Sequence, residues 1–254
     1  MIQLYRLLFL SGLLAVWEGA SRWFGAEFFI SRPSAVAASL WVILNNGVFF
    51  YHAGITTLEA GLGFIAGSLA GLAIGLLLGR ARVLADILDP FLTAFYSLPK
   101  VALAPLFILW FGIGLPMKVI LTAAVVFFLV FLNTYSGVRN VSREQLAILR
   151  LMGAGERDLL AMVVIPSAFT WVFTGLKLSV PYALIGALVG EIIAANRGLG
   201  YLLSDAAAQF DTAGVFAALA GIVTLALILN AAVKQAERFL MPWKTRDADR
   251  DVSI

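Results

Sequence analysis

The chain is built from long apolar runs that are separated by shorter polar segments. An α-helix needs about 20 apolar residues to cross the hydrocarbon core of a bilayer, and six runs approach that length. They predict an all-α membrane protein whose six transmembrane helices belong to one domain over residues 1–240 and lie near 7–24, 58–79, 91–112, 117–135, 169–194 and 215–239. A signal peptide is the alternative for the first run. A retained helix is favoured, because only Arg6 precedes the run and Trp17 and Glu18 replace a small-residue cleavage site.

Three polar segments differ from the short connections. Residues 25–57 contain Ser31-Arg32-Pro33-Ser34, which predicts the start of a short interfacial helix over 35–44. Residues 137–168 are the most polar internal stretch of the chain. Residues 241–254 are rich in charge and predict a disordered, solvated tail.

The basic residues are distributed unevenly over the connecting segments. If the N-terminus is cytoplasmic, most arginines and lysines fall on the cytoplasmic side, which is the positive-inside pattern with both termini inside. Lys100 and Lys177 lie near the starts of predicted spans and are assigned to neither side. The outer segments carry only Arg22, Arg32, Lys118 and Arg197.

Composition supports lipid as the main solvent and excludes most soluble chemistry. Hydrophobic residues make up 61% of the chain and charged residues 13%, and the mean hydropathy is +0.95. The lack of cysteine excludes disulfides, thiolate metal sites and a cysteine nucleophile. One histidine, His52, is too few for a His-rich metal cluster and is interpreted as a polar residue of the outer loop. No metal site is therefore predicted. The net charge of +3 is explained by membrane topology, so no nucleic-acid partner is predicted either.

The second apolar run contains a stripe of glycines spaced one helical turn apart. Such a stripe forms a groove in which another helix backbone can approach closely. Two interpretations remain open: packing against another span of the same chain, or a subunit interface that slides during transport. The stripe consists of Gly63, Gly67, Gly71, Gly75 and Gly79.

The polar stretch 137–168 predicts two short helices joined by a glycine turn. Ser142 can cap the first helix, and Gly153 and Gly155 interrupt it. Pro166 is expected to end or kink the second helix before the fifth span. The apolar ridge of the first helix is expected on Leu146, Leu149 and Met152, a surface suited to helix-in-groove docking of a protein partner.

The spacing of Gly153 and Pro166, with Val163-Val164-Ile165 directly before the proline, resembles a known loop motif. The pattern E-A-A-x3-G-x9-I-x-L-P marks permease subunits of bacterial ATP-binding-cassette importers, and the chain is most similar to the branch for sulfonates, taurine and nitrate. The E-A-A positions read Ala147-Ile148-Leu149 here, and the nearest acid, Glu144, lies about one turn earlier. Residues 97–114, 133–137 and 198–203 also resemble family segments, in the same order.

The resemblance implies the type I importer permease fold with a cytoplasmic coupling helix in the bacterial inner membrane. It also implies a homodimer of permeases, two cytoplasmic ATP-binding subunits and a periplasmic solute-binding protein. The chain has no phosphate-binding loop of the form G-x-x-x-x-G-K-[ST], so we expect no enzyme activity and no cofactor in it, with ATP and Mg²⁺ on the partner ATPase. The implied coupling residues are Glu144, Ala147, Leu149, Met152, Gly153, Ala154, Gly155 and Pro166.

Polar side chains inside the spans are the candidates for the solute pathway, since polar groups facing lipid are unfavourable. Glu191 is either an interfacial carboxylate in water or part of a gate, and Asn133 is expected to bond between helices. No lysine or arginine is expected at a central position where it would neutralise an anion. The pathway candidates are Thr122, Asn133, Ser179, Tyr182 and Glu191.

Other functions remain as alternatives to a sulfonate-type importer. An importer of the same family for a pyrimidine precursor of thiamine or for an aromatic acid fits the same sequence features. A secondary transporter or a channel is less favoured, because the two halves show no clear internal repeat and no charged ring is evident. A membrane enzyme is less favoured because no span contains paired aspartates, a Ser–His pair or an H-E-x-x-H motif.

Overall fold

The computed structural model describes residues 2–240, and every regular element in that range is helical. The predicted tail, 241–254, lies outside the described residues. The helices are α1 Ile2–Trp23, α2 Glu27–Ile30, α3 Pro33–Asn45, α4 Val48–Arg80, α5 Arg82–Ser97, α6 Ala104–Phe111, α7 Leu115–Arg139, α8 Arg143–Leu151, α9 Glu156–Leu159, α10 Ile165–Ala194, α11 Leu199–Ala208 and α12 Thr212–Leu240. A 3₁₀ turn over Lys100–Leu103 precedes α6, and a π-helical turn over Leu160–Val164 links α9 to α10.

The structure does not exactly confirm the expected count of six membrane-crossing helices. Within residues 2–240, four helices are long and apolar enough to cross a bilayer: Val48–Arg80, Leu115–Arg139, Glu156–Ala194 and Thr212–Phe239. The bent pair Val83–Ser97 and Lys100–Phe111 makes a fifth crossing if it is counted as one broken span. The expected first span, α1, is not among them. It carries charge near its end, where Glu18 pairs with Arg22 at 2.6 Å and accepts hydrogen bonds from Ser34.

The expected third span is broken near its middle rather than continuous. Pro99 disfavours the helical conformation of the residue before it, and Leu98 is extended accordingly, with φ −65° and ψ 133°. The chain bends by 80° between the two halves. The helix predicted over 35–44 is confirmed as α3, with Arg32 as the N-cap and Pro33 in the first turn.

The glycine stripe of α4 packs against α7, which confirms the interpretation within one chain. A Cβ on any of the five glycines would come closer than 3.0 Å to an atom of α7. At Gly67 the obstacle is the backbone oxygen of Ala123, 2.5 Å away, so even alanine requires the helices to separate. At the two ends of the stripe, Gly63 faces Thr122 and Gly79 faces Val138.

A second set of glycines, which the sequence analysis did not single out, holds α10 against the other side of α7. Gly175 meets Asn133, Gly186 meets Thr122 and Gly190 meets Lys118. Thr122 therefore lies between glycines of two helices. The result is a tight three-helix cluster in which α7 contacts both α4 and α10 and α4 also contacts α10, while α5 packs against α4 and α6 against α7.

Candidate coupling helix and buried polar cluster

The helix α8 begins and ends at the residues that the loop pattern predicts. The Ser142 side chain accepts a hydrogen bond from the Gln145 backbone N–H at 3.3 Å and caps the N-terminus. Gly153 adopts φ +85° directly after the helix. The Ala154 N–H then bonds to the Leu149 carbonyl and the Gly153 N–H to the Arg150 carbonyl, each at 3.0 Å. This is the Schellman arrangement, which favours glycine at the left-handed position.

The apolar residues of α8 lie on two faces rather than on the single ridge expected. Leu146 and Leu149 are half-buried against the bundle. Leu151 and Met152 are 89% and 77% exposed, and Ile148 is exposed beside them. The expected ridge of Leu146, Leu149 and Met152 is therefore wrong in its grouping, because the first two side chains attach α8 to its own chain.

Glu156 ties α8 to the rest of the bundle. Its carboxylate lies 3.3 Å from Arg80 at the end of α4 and 3.3 Å from Arg150 at the end of α8. All three side chains are at least 45% exposed, so the contribution of each pair to stability is small. The pairs show that the end of α8 lies beside the end of α4. Among the remaining predicted coupling residues, Glu144, Ala147 and Gly155 are exposed and Ala154 is half-buried.

Pro166 does not end the second helix of the loop. Residues 156–194 run as one helix, in which the π-helical turn Leu160–Val164 directly precedes Ile165 and Pro166. A proline inside an α-helix removes one hydrogen bond and clashes with the carbonyl four residues earlier. The wider π turn accommodates that loss. A movement of α9 can therefore pass directly into α10.

At the end of the bundle opposite α8, charged side chains form a buried cluster. Lys118 Nζ of α7 lies 2.6 Å from Glu59 Oε1 of α4, and both side chains are only 4% exposed. Glu191 of α10 is also buried, at 1% exposure, and interacts with Glu59. Glu191 accepts hydrogen bonds from the Thr56 hydroxyl at 2.7 Å and from the Gly200 N–H at 2.6 Å. The interpretation of Glu191 as an interfacial carboxylate in water is therefore wrong.

The turn 198–200 between α10 and α11 closes this cluster. Gly198 has φ +111°, and a Cβ there would overlap the Glu191 carboxylate. Its N–H donates to His52 Nδ1 at 2.9 Å, and the Leu199 N–H donates to the Thr56 hydroxyl at 2.8 Å. His52 is thus a buried residue of α4 and not the polar loop residue expected. A cavity of about 510 Å³ lies against Glu59 and Lys118, between residues 113–115 and 193–197.

The other pathway candidates are not brought together. Thr122 is enclosed between glycines, and Ser179 is buried and bonds to the Leu176 carbonyl of its own helix. Asn133 donates to the Leu129 carbonyl of its own helix at 2.8 Å, so the expectation of a bond between helices is wrong. Tyr182 is 46% exposed on the outside of the chain.

Sequence reasoning missed Glu59, Lys118 and the pair formed by Lys177 and Glu237, whose charged atoms lie 2.8 Å apart. Their residue type could have identified them. Each is a charged residue at the start or inside an apolar run, where an ionisable side chain needs a partner.

Comparisons with known proteins identify the family. The family model described as "Binding-protein-dependent transport system inner membrane component" matches residues 63–242. The formylaminopyrimidine transport permease protein ThiX of Halalkalibacterium halodurans is 34% identical over 239 residues, which are 94% of this chain and 95% of ThiX. The taurine transport system permease protein TauC of Escherichia coli is 28% identical over 240 residues, covering 92% of this chain and 87% of TauC.

A solved structure shows the same fold. The inward-facing MetNI methionine ABC transporter has a chain that aligns with a TM-score of 0.62 at 18% identity, over 72% of this chain and 91% of that one. The exposed helix α8, the glycine-packed bundle and these matches agree with one another. The chain belongs to the family of inner membrane components of binding-protein-dependent transport systems, and it is a transmembrane permease subunit of an ATP-binding-cassette importer.

Proposed function

We propose that two copies of the chain form the pathway, that two separate ATP-binding subunits dock on the α8 helices, and that a periplasmic binding protein delivers the solute at the opposite end. ATP and Mg²⁺ bind to the partner subunits in this proposal, and the permease transmits movement. Support comes from the family description, in which transport depends on a binding protein. The likeness to a methionine ABC transporter supports the fold on which such an assembly is built.

The observation that carries the docking assignment is the exposed apolar face of α8. Leu151 and Met152 are exposed on the surface of the single chain. Such apolar exposure is notable because α8 lies in the most polar internal segment, where polar side chains would be expected on the surface. Burying such side chains in a groove of a partner stabilises a complex by about 1.5–3 kcal/mol for each fully buried side chain. Helix α8 lies close to α4, because Glu156 pairs with both Arg80 and Arg150. The helix that begins at Glu156 continues into α10, so a displacement of α8 can reach the membrane-spanning helices.

In this proposal the α8 end is cytoplasmic, and α1 crosses the bilayer as a sixth span, so both termini lie on the cytoplasmic side. Arg80, Arg139, Arg150 and Arg157 all lie at this end, as the positive-inside rule requires. The opposite end, with the buried cluster of Glu59, Lys118 and Glu191, then faces the periplasm.

Alternating access in this arrangement requires rigid bodies that rock against each other. The glycine contacts of α7 with α4 and α10 leave no space for these helices to slide, so we propose that the three move together. The solute is a small molecule such as a sulfonate, taurine or nitrate, and a formylaminopyrimidine-like solute is the alternative. The names of the relatives TauC and ThiX support these two classes respectively.

A docking experiment tests this proposal through Leu151. The chain is co-expressed with a candidate ATPase subunit from the same organism and purified through a tag on the chain. We expect Leu151→Glu to lower the amount of co-purified ATPase at least tenfold, because a charged side chain then faces an apolar groove. Leu151→Met keeps an apolar side chain of similar size and should retain the ATPase. Equal recovery with Leu151→Glu would show that α8 is not the docking helix.

A further inference from the structure

Lys100 occupies the break in the α5–α6 pair, halfway along α7. Asp86 of α5 pairs with Arg139 at the α8 end of α7, whereas Phe107 of α6 packs against Met117 and Leu121 near the other end. Between them, the Lys100 ammonium lies 4.5 Å from the centre of the Phe128 ring. Phe128 is about 20 Å along α7 from Leu115 and about 17 Å from Arg139, at roughly 1.5 Å per residue. The ammonium is therefore at the mid-depth of the bundle.

The groups that contact the Lys100 ammonium attract its positive charge but carry no negative charge to compensate it. It donates to the Tyr96 backbone carbonyl and lies 4.7 Å from the Tyr96 ring centre, in addition to the Phe128 ring. A carbonyl and two ring faces attract a cation, but they carry no net charge. No ion pair involves Lys100 among the described residues.

The described helices that form the bundle carry no carboxylate at the depth of Lys100. Among the described residues of α4 to α7, α10 and α12, Glu59 and Glu191 are buried at the end opposite α8, and Glu237 pairs with Lys177. Asp86 pairs with Arg139, and Asp89 lies one turn further along α5, about 10 Å from Tyr96. The counter-charge must therefore come from outside these helices.

The break also exposes backbone that cannot face lipid. Pro99, Val101 and Ala102 are exposed on the surface of the single chain, and the backbone here leaves the α-helical hydrogen-bonding pattern. Non-helical backbone at membrane depth is tolerated only where protein covers it or where it lines a water-filled path. The surface around Lys100 is therefore expected to face either another protein chain or a water-filled path.

We propose that Lys100 is an anion-binding residue of the transport pathway, which takes the sulfonate or carboxylate group of the solute at mid-depth. The inference rests on the proposed function and narrows its solute class to negatively charged or zwitterionic molecules. It corrects the expectation that no central lysine or arginine is available for an anion. Lys100 is half-buried, and only the Tyr96 carbonyl accepts a hydrogen bond from its ammonium, so the remaining N–H groups can bind the anion.

Titration of the purified chain in lipid nanodiscs tests this directly. The probes are methanesulfonate and benzoate, the neutral controls are methanesulfonamide and benzamide, and sodium chloride keeps the ionic strength constant. We expect at least one anion to raise the unfolding temperature saturably and its neutral control to have no such effect. Lys100→Met should weaken that binding about tenfold or more, since a hydrogen-bonded charge is lost. Lys100→Arg should retain it, and Lys234→Met, which removes an exposed lysine of α12, should change nothing.

Two results overturn the proposal: absence of binding by both anions, or equal binding by the chain with Lys100→Met. The same variant in the assembled transporter separates this failure from failure of the proposed function. In that assembly, a neutral aminopyrimidine can stimulate ATP hydrolysis equally in the original chain and in the Lys100→Met variant. That result would leave the importer assignment intact and would refute the anion site. If no ATPase associates with the chain, the proposed function fails, and the nanodisc titration still decides the role of Lys100.

Discussion

At the residue scale, glycines let the helix backbones approach closely, and this close packing stabilises the bundle. A stripe of glycines lowers the distance between two helices and increases the number of dispersion contacts, which drive association where water is absent. The periodicity of Gly63 to Gly79 is visible in the sequence, but its partner is not. A second set, Gly175, Gly186 and Gly190, is spaced irregularly, so only the structure shows that both sets face α7.

We predict that Gly67→Ala lowers the free energy of unfolding by about 1–3 kcal/mol, because its Cβ would lie 2.5 Å from the Ala123 carbonyl oxygen. The matched control is Gly61→Ala in the same helix, where no atom lies within 4 Å of the added Cβ. There, alanine should be neutral or slightly stabilising. Equilibrium unfolding in mixed detergent micelles measures both. Equal effects at the two positions would mean that the stripe is not a packing surface.

The pair of Glu59 and Lys118 leads to a second prediction. Removal of either partner leaves a buried charge uncompensated, so Lys118→Met or Glu59→Met alone should cost about 3–5 kcal/mol. The double variant should be more stable than either single variant, because two apolar side chains then replace a matched pair. The double-mutant cycle by the same unfolding method gives the coupling energy. A cycle in which the effects simply add would rule out a direct interaction.

At the element scale, sequence periodicity locates helices well and their interruptions poorly. Ser142 and Gly153 set the ends of α8 through a cap and a left-handed turn, both of which are local chemistry. The break at Leu98 and Pro99 was present in the sequence as a proline, but Pro90 and Pro181 lie inside unbroken helices. Which proline interrupts a helix depends on packing against neighbouring helices, which the local sequence pattern around each proline does not show.

We predict that Gly153→Val uncouples the transporter while leaving it inserted in the membrane. No atom lies within 4 Å of an added Cβ, so the effect arises from φ +85°, which a β-branched residue adopts only with strain. The end of α8 would unwind or shift, and solute-stimulated ATP hydrolysis by the reconstituted complex should be lost. Gly153→Asn, which tolerates the left-handed region, should keep most of the stimulation. Full stimulation with valine would remove Gly153 from the coupling assignment.

At the scale of the whole molecule, the tightly packed helices α4, α7 and α10 form a bundle whose two ends differ in chemistry. One end presents exposed apolar side chains on α8, and the other encloses charges between α4, α7, α10 and α11. Hydrophobicity predicted the membrane class, and the loop motif predicted the family. Neither predicted the buried cluster, because its members come from positions as far apart as Glu59 and Glu191, whose contact depends on the packing of three helices.

The most direct test of the central claim is ATP-driven solute uptake into proteoliposomes. We expect no ATP hydrolysis and no solute flux with this chain alone. With its ATPase subunit and binding protein added, hydrolysis should rise when solute-loaded binding protein is present, and labelled solute should cross only with ATP. Hydrolysis or flux by the chain alone, or uptake that ignores ATP in the complete assembly, would contradict the account.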